Sequence, residues 1–411
     1  MEYGLIGEHL GHSYSPEIHA QIADYTYELK EIPREGLDAF MKAKDFKAIN
    51  VTIPYKKDVI PYLDEISPQA EAIGAVNTIV NNDGHLWGGN TDFAGMAALI
   101  RKLGLIFKGS KVLILGTGGT SRTAMAVAED MGASEIYRVS RQGNDGAVTY
   151  EDATSLHSDA DFIVNTTPAG MYPNINGKAI DISGFPSLKG VVDAVYNPLR
   201  TELVLDAQAS GIPAEGGLYM LSAQGIYAYG AFLGKEMDDA IIDMAYKKVL
   251  NGKRNIVLIG MPSCGKTTIG TALAEKLGRR LVDTDEQVIK NVGMSISDYF
   301  AANGEQAFRD RESEAVADLA LESGLIIATG GGAVLREENV RNLKRNGIVV
   351  FLDRPFDDLV ATDDRPLSST RDALLKVYND RIDIYRKSAD VIIDAGSGIG
   401  QVAEAVLGAI S

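Results

Sequence analysis

Two stretches of this chain share one local pattern, and that pattern limits the possible folds more than any other feature. KVLIL at 111–115 runs into GTGGTS at 116–121, and NIVLI at 255–259 runs into GMPSCGKTT at 260–268. Each is an apolar strand, a glycine-rich turn and a segment able to form a helix. That order aims backbone N–H groups and a helix N-terminus at a phosphate, and it belongs to α/β architectures with parallel strands. Two such motifs imply two nucleotide-binding machines in one chain.

The chain has 411 residues, enough for roughly three domain-sized units. Around 245–255 the sequence turns basic, AYKKVLNGKRN, and residues 248–254 read as a linker. Before it, 3–7, 26–32, 47–53, 111–115, 135–139, 161–165 and 190–193 read as strands. Helical patterns fall at 16–23, 34–43, near 93–103, near 120–131 and over most of 218–248. The expected organisation before it is two lobes, the second of them dinucleotide-binding. The linker follows, and then a third unit at 255–411.

Charge narrows the partners. The net charge is −16, a field that repels phosphate polymers and anionic lipid and argues against nucleic-acid and membrane partners. Residues 1–250 carry 20 bases and 32 acids, residues 251–411 carry 20 and 24, so the nets are −12 and −4. The second part is nearly balanced, as suits a pocket that gathers arginines around a charged ligand. One cysteine, Cys264, excludes internal disulfides and four-cysteine metal sites. The N-terminus lacks a basic stretch followed by an apolar run, and no run reaches 18 apolar residues; a soluble, cytoplasmic protein is expected. Oligomeric state is open.

The first glycine turn offers Gly116, Gly118, Gly119, Thr120 and Ser121 to a dinucleotide. The strand after it ends in Ser140 and Arg141, where Arg141 would attract a ribose 2′-phosphate or simply be solvated in a turn. NADP(H) is the expected cofactor. Further motifs make residues 1–247 similar to shikimate dehydrogenases along their whole length. They are HSYSP (12–16), NVTIPYKKD (50–58), GAVNT (74–78), GGNTD (88–92), NTTPAGM (165–171) and GGLYMLSAQ (216–224). The resemblance implies a two-lobed α/β fold, with a substrate lobe at 1–100 that helices from 218–248 rejoin and a Rossmann-like cofactor lobe at 101–217, and NADPH-dependent reduction of 3-dehydroshikimate to shikimate.

Carried over by motif, Lys56 is the expected proton donor and acceptor, with Asp92 beside it. A hydride added to a ketone creates an alkoxide that a lysine ammonium can protonate. Ser13 and Ser15 are expected on the substrate carboxylate; without the motif, Ser15 serves equally as a cap for the helix opening at Pro16. Thr52, Asn77, Tyr196 and Gln224, with Asp92, would read the hydroxyls and carboxylate. Asn165, Thr166, Met171, Gly217 and Met220 would lie on the nicotinamide side, Met220 alternatively being plain core. After Arg141 no base occurs until Lys178, and the helix expected there is shortened or lost.

The second turn fits G-x-x-x-x-G-K-[ST] at Gly260, Gly265, Lys266 and Thr267. Pro262, Ser263, Cys264 and Thr268 complete the loop; Lys266 would reach the outer phosphates of ATP and Thr267 would ligate Mg²⁺. Cys264 reads as a small apolar filler, or as an oxidisable thiol at the nucleotide site. LVDTDEQ sets Asp283 and Asp285 two apart at a strand end, where alternation would put both on one face. With IIATGGGAV, TDDRPLSS and YNDRIDIYRKSAD, residues 254–405 resemble shikimate kinases. Such proteins have a P-loop, nucleoside-monophosphate-kinase-like fold and phosphorylate the 3-hydroxyl of shikimate.

That resemblance implies that Asp283 orders Mg²⁺ and Asp285 orients the reacting hydroxyl. Arg309 and Arg381 would clamp the carboxylate, Gly330, Gly331 and Gly332 would present backbone N–H groups, and Arg365 would close from a lid. Arg309 could also pair with Glu305 or Glu312 on its own helix. The lid is acidic at Asp363 and Asp364. Together the two motif sets imply a bifunctional enzyme of chorismate and aromatic amino acid biosynthesis, taking 3-dehydroshikimate and then shikimate. The alternative is a quinate/shikimate dehydrogenase of broad specificity joined to the same kinase; a non-catalytic binding protein would need lost catalytic groups, and these are present.

Overall fold

A computed structural model describes residues 1–11, 13–361 and 370–410. Arg365, Asp363 and Asp364 lie outside the described residues, as does His12. The chain divides into two compact units, Met1–Val249 and Leu250–Ser411.

The first unit holds two sheets. One has six strands in the order Tyr27–Glu31, Tyr3–Gly7, Ala48–Val51, Thr78–Asn82, His85–Gly89, Glu65–Ile66. Its first three strands are parallel, as the sequence pattern implies. The hairpin Thr78–Asn82/His85–Gly89, however, is antiparallel and was not expected. Asp83 (φ 53°) and Gly84 (φ 93°) turn it, and an Asn-Asp-Gly sequence suits a turn with positive φ at both central residues.

The other sheet has five parallel strands in the order Ala214–Glu215, Gly190–Asp193, Phe162–Asn165, Lys111–Leu115, Glu135–Val139. Lys111–Leu115 lies between Phe162–Asn165 and Glu135–Val139, where the strand order reverses, so its C-terminal end and the turn that follows face the crevice where such sheets bind ligands. Helix Thr91–Lys102, capped by the Asn90 side chain on Phe93 N, leads out of the first lobe. Helix Leu218–Leu233 packs across it so closely that a Cβ on Gly95 would lie 2.6 Å from the Met220 carbonyl oxygen. Each lobe keeps its own core, one around Ile6, Ile49, Ile79 and Leu86, the other around Leu113, Ile163, Val191 and Val204.

Three helical expectations change. The first helix is a single turn, Ser15–His19. The run 218–248 is two helices, broken after Leu233 by Gly234 at φ 64°. In the segment 248–254, expected as a linker or domain joint, helix Asp239–Lys253 continues to Lys253 and a strand begins at Asn255, leaving only Arg254 between. Lys and Leu there favour helix, and Gly252 near the end costs little. After Arg141 the chain turns through 142–149 before a short helix, Tyr150–Leu156, with a Thr149/Asp152 capping box.

The second unit is built on five parallel strands in the order Leu281–Asp283, Ile326–Ala328, Asn255–Ile259, Gly347–Asp353, Val391–Asp394. The central strand Asn255–Ile259 is wholly buried. Its glycine turn delivers the chain into helix Lys266–Leu277, which Gly278 ends at φ 64°. Helix Ile296–Leu321 breaks at Gly304, and its second part turns Arg309 and Glu312 inward. Among the described residues no helix is long and apolar enough to cross a membrane.

Candidate active sites

In the first unit, Lys56 and Asp92 come from different segments and meet. Lys56 lies just after the strand Ala48–Val51, while Asp92 lies in the first turn of helix Thr91–Lys102. Lys56 Nζ donates to Asp92 Oδ2 at 2.5 Å, and both side chains keep a minority of their surface open to solvent. Around them lies a buried polar web. Asn77 Oδ1 accepts from Thr91 N at 2.7 Å and from Thr78 Oγ1 at 3.0 Å. Thr91 Oγ1 reaches Gln224 Oε1 at 3.5 Å, which brings the helix Leu218–Leu233 to the same place. Thr52 sits beside this web, its backbone N donating to Ile6 O.

The serine segment is arranged differently from a cap. Ser15 is the buried first residue of its helix, Tyr14 takes the cap position, and no side chain caps the turn. Ser13 Oγ accepts from Ser15 N at 3.3 Å, which ties the two serines together. Tyr196, from the loop after Gly190–Asp193, reaches this segment: its ring lies 5.3 Å from that of Tyr14. Burial pushes the Tyr196 phenol upward and the Tyr14 phenol up to about 12.

Sequence reasoning missed Tyr27, Asn50, Thr91 and Asp193. Tyr27 Oη donates to Asn50 Oδ1 at 2.7 Å, and Asn50 Nδ2 donates to Asn77 O and Thr78 Oγ1, both at 3.1 Å. Asn50 and Thr91 stand inside NVTIPYKKD and GGNTD, so the motifs contained that signal; Tyr27 had none. Asp193 is wholly buried and accepts from Asn165 Nδ2 (2.9 Å), Val195 N (2.9 Å) and Thr201 Oγ1 (2.6 Å). Burial outweighs these donors and raises its carboxyl to about 6.

That web also changes the expected role of Asn165. It is wholly buried with its amide spent on Asp193 and Thr167, so its side chain positions the loop that the sequence sets on the nicotinamide side. Met220 is likewise buried among core residues. Thr166 Oγ1 donates to Leu115 O at 2.6 Å, while Met171 is exposed and Gly217 packs so tightly that a Cβ would strike Ala194 O. In the glycine turn Gly116 takes φ 110°, and Cβ atoms on Gly118 and Gly119 would meet nothing within 4 Å, leaving the backbone open to a pyrophosphate. Thr120 and Ser121 open the helix Gly119–Asp130, Ser121 wholly buried with its hydroxyl unpartnered. Ser140 Oγ accepts from Gly143 N at 3.0 Å and Arg141 is exposed. These residues fit a dinucleotide phosphate with an arginine free to meet it.

In the second unit the glycine loop after Asn255–Ile259 has Gly260 at φ 151°, Ser263 at φ 63° and Gly265 at φ 99°. Lys266 Nζ is buried and donates to Gly260 O (2.9 Å) and Met261 O (3.0 Å), so the lysine is held by its own loop. Cys264 is 1% exposed, the filler of the two readings, and a Cβ on Gly260 would lie 2.8 Å from its sulfur. Thr268 follows Thr267 in the helix, and Pro262 packs against Gly331.

Asp283 and Asp285 do not share a strand face. The strand ends at Asp283, which caps the helix Thr284–Val292 by accepting from Asp285 N at 2.9 Å. Asp283 Oδ2 also accepts from Thr267 Oγ1 at 3.0 Å, so a hydroxyl and a carboxylate meet beside the glycine loop. Hard oxygen donors of this kind suit Mg²⁺ carrying waters and phosphate oxygens. Among the described residues no larger acidic or histidine cluster is placed to hold a metal.

Asp285 instead faces the glycine run after Ile326–Ala328. A Cβ on Gly330 would lie 2.3 Å from Asp285 Oδ1, and one on Gly332 would lie 2.0 Å from Arg309 Nη1. Arg309 pairs with Glu312 at 2.7 Å and Glu305 at 3.4 Å, so the helix ion pair weighed from sequence is present. Glu312 is buried, which raises its carboxyl against the pull of Arg309. Gly330 N is already spent on Thr284 Oγ1 at 2.7 Å, and the Gly331 carbonyl accepts from Arg381. An aspartate, two arginines and a glycine run thus converge within one unit.

Comparison with known proteins agrees with this division. The profile of the shikimate dehydrogenase substrate binding domain matches residues 5–79, and that of shikimate kinase matches residues 262–411. A shikimate dehydrogenase (NADP(+)) of Clostridium perfringens is 36% identical over 265 residues, covering 60% of this chain and 97% of that protein. The chain belongs to the shikimate dehydrogenase family. A shikimate kinase domain is fused behind the dehydrogenase domain. Crystal structures agree for the dehydrogenase part. Shikimate dehydrogenase 1 of Peptoclostridium difficile superposes with a TM-score of 0.55 at 35% identity, covering 61% of this chain and 98% of that one. Shikimate 5-dehydrogenase of Thermus thermophilus, solved with NADP(H) and shikimate, gives 0.54 at 29%, covering 60% and 99%.

Proposed function

We propose that the first unit reduces 3-dehydroshikimate to shikimate with NADPH and that the second transfers the γ-phosphoryl group of ATP to the shikimate so formed. The observation that carries the reductase reading is the 2.5 Å Lys56–Asp92 pair set in the Asn77–Thr91–Gln224 web. NADPH, when bound, supplies the hydride. Lys56 Nζ gives its proton to the ketone oxygen as the alcohol forms, and Asp92 keeps that ammonium charged and aimed. Asn77 and Gln224 hold hydroxyls, and a ligand lacking one of them leaves a buried group unpaired, which is how such a web discriminates. Ser13, Ser15 and Tyr196 take the carboxylate.

For the kinase, the support is the convergence of Asp285, Arg309, Arg381 and Gly330–332 beside a phosphate loop. Arg309 and Arg381 hold the carboxylate and Asp285 accepts from the reacting hydroxyl. Lys266 exchanges the Gly260 and Met261 carbonyls for phosphate oxygens, and Thr267 with Asp283 holds Mg²⁺, which neutralises phosphate charge. Arg141 supports NADP(H) over NAD.

A coupled assay tests both halves. The protein receives 3-dehydroshikimate, NADPH and ATP–Mg²⁺, with NADPH loss and ADP release followed separately. Equal stoichiometric loss and release is the expected result. ADP release only on adding a different polyol, or NADPH oxidation that prefers 3-dehydroquinate, would replace the substrate assignment.

A further inference from the structure

Helix Arg371–Ser388 sends two side chains one turn apart to a single acceptor. Arg381 Nη1 donates to the Gly331 carbonyl at 3.1 Å, and Tyr385 Oη donates to the same oxygen at 2.5 Å. Tyr385 is wholly buried, with its ring stacked on Phe351 at a centroid distance of 5.4 Å and an interplanar angle of 9°. Burial pushes its phenol well above the usual range, so the hydroxyl stays a donor.

The glycine run it holds is tight at both ends, where a Cβ on Gly330 would lie 2.3 Å from Asp285 Oδ1 and one on Gly332 would lie 2.0 Å from Arg309 Nη1. In the middle, a Cβ on Gly331 would make ordinary contacts, 3.4 Å from Pro262 and 3.6 Å from Tyr385 Oη. A buried carbonyl has two lone pairs, and here both are taken.

We propose that Tyr385 is a positioning residue for shikimate phosphorylation: by sharing the Gly331 carbonyl with one Arg381 N–H it fixes the Gly330–Gly332 run and keeps the rest of the Arg381 fork for the substrate carboxylate. The inference rests on the kinase reading above. Without the phenol, Arg381 is the sole donor to that carbonyl. Its guanidinium is then drawn onto the backbone, and N–H groups meant for an anion turn away. Lys266 donates to Gly260 O and Met261 O, and Thr267 donates to Asp283, so the groups expected on the nucleotide take their hydrogen bonds elsewhere.

The full-length Tyr385→Phe protein tests this, because phenylalanine keeps the stacked ring and removes only the hydroxyl. The KM for shikimate rises about tenfold, the size of one hydrogen bond to a charged group. Meanwhile kcat, the KM for ATP and the reductase kinetics stay within about twofold, inside the spread expected of an untouched site. A shikimate KM that does not move overturns the proposal. So does a loss in which kcat and both KM values shift together with a lowered Tm, since that is the mark of a purely structural tyrosine. Arg381→Lys, assayed alongside, separates the two levels. If it leaves the shikimate KM unchanged, the placing of Arg381 on the carboxylate fails, and the proposal with it. If it raises that KM while Tyr385→Phe does not, only the positioning role fails.

Discussion

Lys56 and Asp92 are 36 residues apart and meet at 2.5 Å, so one substitution should separate proton transfer from everything else the chain does. Lys56→Ala is expected to lower reductase kcat by about 10²–10⁴, the usual worth of a positioned acid–base group. Phosphorylation of added shikimate should be unchanged in the same preparation; a fall in both rates would mean a folding defect. Asp193 makes a second prediction at this scale. Its carboxyl is raised to about 6, so the folded chain holds that proton more tightly than the unfolded chain does. The stability this contributes is complete below the ordinary carboxyl range and is lost as pH rises through about 6. Asp193→Asn cannot titrate. Relative to wild type it should therefore gain roughly 3 kcal/mol between pH 4 and pH 7, an order-of-magnitude figure from a shift of about two units. Urea midpoints followed by reductase activity read that difference, and parallel pH profiles would contradict it. Neither Asp193 nor Tyr385 was legible in the sequence, because a buried tyrosine or aspartate is recognised only by the distant groups it touches. The work of the Asn165 side chain was hidden for the same reason: its motif marks a functional loop, but only the fold reveals that its amide is spent inside.

Elements built on local pattern were the readable ones. The strands 3–7, 111–115, 135–139 and 190–193 fall where the apolar runs put them, and Gly278 ends its helix as a left-handed cap. The hairpin after Thr78 escaped, although Asn82-Asp83-Gly84 spells its turn, because the glycines at 88 and 89 hide the strand pattern. Asp283 and Asp285 show a subtler failure. Their spacing fits a strand, yet Asp283 caps a helix, and capping competes well against one more strand residue. The glycine run at 330–332 supplies the prediction at this scale. Gly332→Ala puts a methyl 2.0 Å from Arg309 Nη1, and the guanidinium must leave its place between the run and Glu312. Shikimate phosphorylation should fall by at least about 10², since truncating or displacing a partner of a buried charge pair costs about 3–5 kcal/mol. Reductase activity is the internal control. A Gly332→Ala protein with an unchanged shikimate KM would remove Arg309 from the substrate site.

At the scale of the molecule, the −16 net charge describes neither half well: the acidity lies mainly in the first 250 residues, at −12 against −4. Each unit buries its own strands, and the residues assigned to each reaction lie within one unit. On the proposed reading, shikimate is the product of the first reaction and the substrate of the second, and it should pass through solution. The test is a mixture of two defective proteins, Lys56→Ala, which keeps the kinase, and Lys266→Ala, which keeps the reductase. With 3-dehydroshikimate, NADPH and ATP–Mg²⁺, the mixture should form shikimate 3-phosphate at the steady rate of an equal number of wild-type sites. A lag should come first, while free shikimate rises towards the kinase KM, and added shikimate should abolish it. Wild-type protein should show the same lag at the same concentration of sites, because fusion alone does not confine a diffusing product. A lag present in the mixture and absent from wild type would mean direct transfer between the halves.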